Sequence, residues 1–177
     1  MMMTVRRATV ADAAAVARVH IDSTRVVYRG LMPQAHLDGL SYGDREERWR
    51  NQLARGDKAT FVAVDGRAIV GFVDGGERSA TGLDSDGELY AIYILPSHWR
   101  RGLGRRLFDA VRAELAGRGY ATLGLWVLRD NTACRFYEAL GGVRVATGEH
   151  FVGGACLDKI AYLWRLEPAE PHPVSGR

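Results

Sequence analysis

Two spacings of apolar residues alternate along the chain, and the alternation predicts its elements. A short strand is expected over residues 4–8. Apolar positions at helical spacing then run from Asp12 to about Tyr28, with Val16, Val19 and His20 on one face, and Gly30 ends the run. Pro33 is placed to open a second short helix through Leu40. A third helical pattern spans 44–53 and stops before Gly56. Two β-rich runs, 60–64 and 68–73, flank Asp65-Gly66, a dipeptide that favours hairpin turns. The Gly-, Asp- and Ser-rich stretch 74–87 reads as a loop. Residues 88–95 are almost wholly apolar after Glu88, as in a strand buried on both faces. A helix follows over 103–117, with Leu103, Leu107, Val111 and Leu115 as its stripe, and then a buried strand over 122–128. Asp130 or Asn131 caps a helix that ends near Leu140, and Gly141-Gly142 closes it. Strands over 143–151 and 157–166 complete the order. Strand–helix–strand units require parallel pairing and hairpins antiparallel pairing. The expected fold is therefore α/β, a mixed and mostly antiparallel sheet of about seven strands flanked by helices.

Composition narrows the class. The 177 residues suit one domain, expected over 1–167. Residues 168–177 hold three of the five prolines and read as a loose tail. A net charge of +3 is interspersed with 21 acidic residues, which argues against a nucleic-acid partner. Lys58 and Lys159 are the only lysines, so the positive charge is almost all arginine, suited to bidentate recognition of phosphate or carboxylate. Cys134 and Cys156 form no metal-ligand spacing, and no bound metal is expected. The N-terminus has no signal-peptide pattern and no run approaches a membrane span, so a cytoplasmic setting without a membrane partner is expected.

The chemistry concentrates in the segment Ile92-Tyr93-Ile94-Leu95-Pro96-Ser97-His98-Trp99-Arg100-Arg101-Gly102-Leu103-Gly104-Arg105-Arg106-Leu107. A buried strand ends at Pro96, a turn carries two glycines, and an amphipathic helix begins at once. That arrangement aims backbone N–H groups and the positive end of a helix dipole at one point. An anion site is expected there, with Arg100, Arg101, Arg105 and Arg106 around it. Gly-Lys-Ser/Thr is absent, which removes the nucleoside-triphosphate P-loop, and no third glycine stands at dinucleotide-fold spacing. Read without that anion, the same segment is a plain strand–helix turn with solvated arginines.

This segment resembles the coenzyme A-binding signature of the GCN5-related N-acetyltransferases, (Gln/Arg)-x-x-Gly-x-(Gly/Ala) after a strand and a proline. Trp99 stands in the Gln/Arg slot, a departure that leaves the backbone contacts in place. A second stretch, Asn131-Thr132-Ala133-Cys134-Arg135-Phe136-Tyr137-Glu138-Ala139-Leu140-Gly141, resembles the family's Asn-x-x-Ala-x-x-Phe-Tyr-Glu-x-Leu-Gly. The likeness is strongest over 59–142. It implies a sheet splayed between its fourth and fifth strands and acetyl-CoA as co-substrate. It further implies pyrophosphate contacts from Arg100, Arg101, Gly102, Leu103, Gly104 and Arg105, and pantetheine contacts from the backbone of Ile92, Tyr93 and Ile94. Asn131, or Asp130 at the family's usual spacing, touches the cofactor. Tyr137 protonates the departing thiolate, and Glu88 is the candidate base for the amine; its bland reading is a solvated strand-end carboxylate. Tyr28 and Tyr90 are expected to line the acceptor pocket.

The acceptor expected is a primary amine on a small molecule or peptide, and the sequence leaves a homodimer open. Two other readings compete. One is a coenzyme A-binding sensor or scaffold without transferase activity. The other is a nucleic-acid-binding domain, disfavoured because the arginines converge on one turn and form no stripe. His98 reads as a turn residue near the cofactor, Cys134 as buried, Asp44, Glu46 and Glu47 as a solvated helix face, and Trp49 and Trp164 as core.

Overall fold

Period-two apolar residues assemble seven strands into one sheet, seen in a computed structural model that describes residues 3–79 and 82–167. The expected tail over 168–177 lies outside the described residues. The strands are β1 (Thr4–Arg7), β2 (Ala59–Asp65), β3 (Ala68–Glu77), β4 (Gly87–Ile94), β5 (Thr122–Leu128), β6 (Val143–Val152) and β7 (Ala155–Arg165), in the order β1-β2-β3-β4-β5-β7-β6. Only β4 and β5 pair in parallel; the other neighbours are antiparallel. The helices are α1 (Ala13–Val27), α2 (Gln34–Asp38), α3 (Tyr42–Arg55), α4 (Leu103–Gly117) and α5 (Cys134–Ala139). Among the described residues, no helix is long and apolar enough to cross a membrane.

Successive residues of a strand point to opposite faces, so the sheet supports two cores. Val16, Ala17 and Val19 of α1 and Trp49 of α3 pack on Val62 and Phe72. On the other face Leu103, Leu107, Phe108, Val111 and Leu115 of α4 pack on Val73, Leu89, Leu123 and Leu125. Each such side chain, fully buried, contributes about 1.5–3 kcal/mol.

The expected loop over 74–87 is half wrong: β3 continues to Glu77, and Asp74 is a buried strand residue. Gly75 and Gly76 mimic a loop in sequence, yet they serve close packing. A Cβ on Gly75 would sit 3.0 Å from both Glu88 O and Val111 Cγ2. The helix before Gly141 also starts later than expected, at Cys134, because Asn131 spends its side chain on a turn: its Oδ1 accepts from Ala133 N at 2.8 Å.

Asp12 ties β1 to α1. Its carboxylate accepts both Arg6 guanidinium nitrogens at 2.7 and 2.8 Å and the Thr9 backbone N–H at 2.8 Å. The Arg6 hydrogen bonds hold its pKa down at about 2. A depressed carboxylate contributes stability above its unfolded pKa and loses it as pH falls through the folded one. Denaturant titrations from pH 5 to pH 2 are expected to show this loss between about pH 4 and 2. Asp12→Asn should flatten that part of the profile and cost up to about 1 kcal/mol at pH 7 by losing the ion pair with the half-exposed Arg6; an unchanged profile would remove Asp12 from the acid sensitivity.

Candidate active site

The parallel pair opens almost as soon as it forms. Among the described residues, only Gly87 with Leu123 and Glu88 with Gly124 are in register, and beyond Glu88 the β4 edge that faces β5 has no strand partner. Both strands carry a local feature where the pairing ends. Opposite Asp74 and Gly75, β4 skips Tyr90 and resumes at Ala91, a β-bulge that bends the strand and re-aims side chains. On β5, Gly124 leaves space that Leu83 fills: an added Cβ would lie 2.4 Å from Leu83 Cδ2.

The gap opens into a cleft of about 790 Å³. It gathers Tyr28, Tyr90, Ile92, Tyr93, Ile94, Arg100, Gly102, Leu103, Gly104, Arg105, Asn131 and Tyr137, all expected at the site. Glu88 and Arg101 are not among the described residues that line it. Trp126, Thr132, Arg135 and Phe136 line it as well. Sequence reading assigned Trp126 no role, although it lies on the face of β5 opposite Leu125 and Val127, a parity that strand alternation supplies.

The phosphate end has the geometry expected of an anion site. Gly102 stands at φ +77, a left-handed conformation that suits glycine, just before α4. Among the described residues, the amides of Gly102, Leu103, Gly104 and Arg105 find no backbone acceptor, while Arg106 N already bonds Gly102 O at 3.2 Å. Gly104 also has a packing role: an added Cβ would meet the Phe136 ring at 3.0 Å, so glycine lets α4 and α5 close. Arg106 leaves the expected cluster, since its guanidinium donates to Met3 O at 2.7 Å. Trp99 turns its indole N–H onto Ile94 O at 2.7 Å and so occupies a carbonyl of the open strand.

At the centre, the Tyr93 hydroxyl donates to that of Tyr28 at 3.4 Å. His20 stacks on Tyr93, with ring centroids 5.2 Å apart, and accepts from Trp49 Nε1 at 3.3 Å. Burial, helped by the nearby Arg45 charge, pushes His20 down to about 3, so it supports Tyr93 as a neutral ring. Tyr137 lies on α5 within the aromatic group of Phe136, Tyr162 and Trp164. Burial raises its hydroxyl well above the usual phenol range. It therefore stays protonated at neutral pH, as a proton donor must.

Glu88 is not the solvated strand-end residue of the bland reading. It is 6% exposed, and its carboxylate accepts from Ser79 N at 2.9 Å and Ser79 Oγ at 2.6 Å. His98 is a turn residue, placed between Ser97 Oγ at 2.8 Å and Asp65 Oδ2 at 3.3 Å. Cys134, Trp49 and Trp164 are buried.

Residues 26–142 match the acetyltransferase (GNAT) family. The chain belongs to that family. It is 34% identical over 164 residues to an uncharacterized N-acetyltransferase, YuaI, of Bacillus subtilis, covering 92% of this chain and 93% of that one. It is also similar to the aminoglycoside N(6')-acetyltransferase type 1 of Salmonella typhimurium, at 29% identity over 70% of this chain and 86% of that protein. In fold it resembles yncA of Salmonella typhimurium, a putative acetyltransferase solved with acetyl-CoA, with a TM-score of 0.72 and 22% identity over 98% and 99% of the two chains. In this GNAT chain the open β4 edge, the α4 amides and Tyr137 share one cleft, and the amides and arginines suit a phosphorylated ligand.

Proposed function

We propose that this chain moves an acetyl group from acetyl-CoA to a primary amine, with both bound together. The observation that carries the reading is the convergence of free α4 amides, an unpaired β4 edge and the Tyr137 hydroxyl on one cleft. The amides of Gly102–Arg105 hold the pyrophosphate, assisted by Arg100, Arg105 and, from the rim, Arg101. The Ile92–Ile94 backbone holds the pantetheine arm, and Asn131 contacts it from the α5 side. Acetyl-CoA supplies the thioester.

Much of the rate comes from holding amine and thioester together. The amine nitrogen bonds the carbonyl carbon, and the bond from that carbon to sulfur breaks. Tyr137 gives its phenolic proton to the sulfur. Glu88, which does not line the cleft and whose carboxylate accepts from Ser79, takes the amine proton through an intervening water. Tyr28 and Tyr90 line the acceptor side. Similar proteins include the aminoglycoside N(6')-acetyltransferase of Salmonella typhimurium and a ribosomal protein bS18-alanine N-acetyltransferase of Escherichia coli, which supports an amine acceptor.

The deciding experiment is the thermal midpoint with and without acetyl-CoA, with ATP, NAD and DNA as controls. A ligand at about 100 times its Kd adds about 2.7 kcal/mol. A rise with acetyl-CoA alone is expected. No rise at saturating acetyl-CoA would defeat the reading, and a rise with no thiol released against any amine would make the chain a sensor.

A further inference from the structure

The acceptor side of the cleft has an unusual distribution of charge. Outside the proposed cofactor path along β4 to the α4 amides, the cleft wall includes Val27, Tyr28, Tyr90 and Trp126. No Asp or Glu is among the described residues that line the cleft. A polycationic acceptor needs carboxylates to offset the cost of taking several charges out of water.

Aromatic faces can replace carboxylates by drawing a cation onto the ring. Here that role is already filled. The chain's only two lysines each lie over an aromatic residue of this wall. Lys58 Nζ is 5.0 Å from the Tyr90 ring centroid and donates to the Tyr90 hydroxyl at 3.1 Å. Lys159 Nζ is 4.2 Å from the Trp126 ring centroid.

Each lysine is also seated against a glycine. A Cβ on Gly76 would come within 2.9 Å of Lys58 Cδ, and one on Gly148 within 3.2 Å of Lys159 Cε. Lys58, just before β2, and Lys159, on β7, thus have the same surroundings: an aromatic ring of the cleft on one side and a glycine on the other. Lys58 is partly balanced by Asp57 at 4.0 Å and by the charge of Asp74. Lys159 forms no ion pair among the described residues.

We infer that the acceptor is a monoamine with an apolar or aromatic body, and that Lys58 and Lys159 disfavour polycationic amines. The inference rests on the transferase reading and narrows its acceptor. The walls bury the acceptor's apolar body, and its one amine faces the thioester.

The test measures acetyl-CoA-dependent thiol release with 2-phenylethylamine, spermidine and kanamycin. At low salt, kcat/KM for 2-phenylethylamine should exceed the other two by at least about tenfold, and salt should narrow the gap by screening. Lys159→Gln and Lys58→Gln, each checked for an unchanged acetyl-CoA midpoint shift, should narrow it too. Spermidine or kanamycin as the better acceptor overturns the proposal. Release with none of the three, while acetyl-CoA still raises the midpoint, overturns the acceptor class and leaves the cofactor site standing. Failure of the midpoint to rise defeats the transferase reading itself. A preference for 2-phenylethylamine that neither variant alters overturns the role of the lysines.

Discussion

Tyr137→Phe is expected to lower kcat by about 10²-fold or more, the range for losing a positioned proton donor, with acetyl-CoA affinity unchanged within about twofold. The ring of Tyr137 packs against Phe136, Tyr162 and Trp164 at centroid distances of 5.4, 5.9 and 6.1 Å. Phenylalanine keeps those contacts. No described protein group holds the hydroxyl, so its removal leaves no orphaned partner, and the midpoint should stay within about 0.5 kcal/mol of wild type. The hydroxyl keeps its proton because burial penalises the phenolate. The pH profile of the wild type near neutrality should therefore reflect groups other than Tyr137. Stopped-flow turnover beside calorimetric acetyl-CoA binding separates the two effects. Equal losses in kcat and in affinity would make Tyr137 a binding or structural residue.

Gly104→Val should cost about 1–3 kcal/mol of stability, as overpacking does, and weaken acetyl-CoA binding by at least about tenfold. The space at Gly104 belongs to Phe136: a single Cβ would meet two atoms of its ring at 3.0 Å, with Ile94 Cδ1 3.6 Å away. Two further methyl groups leave no room for the ring. Phe136 or the first turn of α4 must then move, and that turn carries the free amides of Gly102–Arg105. Phe136→Leu in the same chain should restore part of both losses, because residues in contact are coupled and distant ones add. Additive losses in the double variant would show that Gly104 acts through ligand approach and not through helix packing.

Much of the fold was readable before any coordinates. The α4 stripe and the β5 run are found at the expected residues because their signals are local: a 3.6-residue period in one, a short apolar run between breakers in the other. Asp65-Gly66 marks the β2–β3 turn for the same reason. One misreading comes from the two meanings a glycine can have. Gly75 and Gly76 read as loop and are strand, because β4, α4 and Lys58 approach the backbone there. Gly104 lines the cleft and also makes room for the Phe136 ring, a packing role its motif does not show. In both cases the deciding neighbour is distant in sequence.

By itself the sequence determined the order of elements, the strand–turn–helix that frees four amides at α4, and the likeness that implies acetyl-CoA. These follow from periodicity, turn residues and motif spacing, which act over a few residues. Only the tertiary structure decided which edge opens, since the bulge at Tyr90 and the short β4–β5 register come from pairing between distant segments. It also removed Arg106 from the turn before α4, fastened Glu88 to Ser79 and set the two lysines on the Tyr90 and Trp126 rings of the cleft. Each depends on side chains that meet across strands or loops, and a linear pattern carries no record of what lies across the sheet.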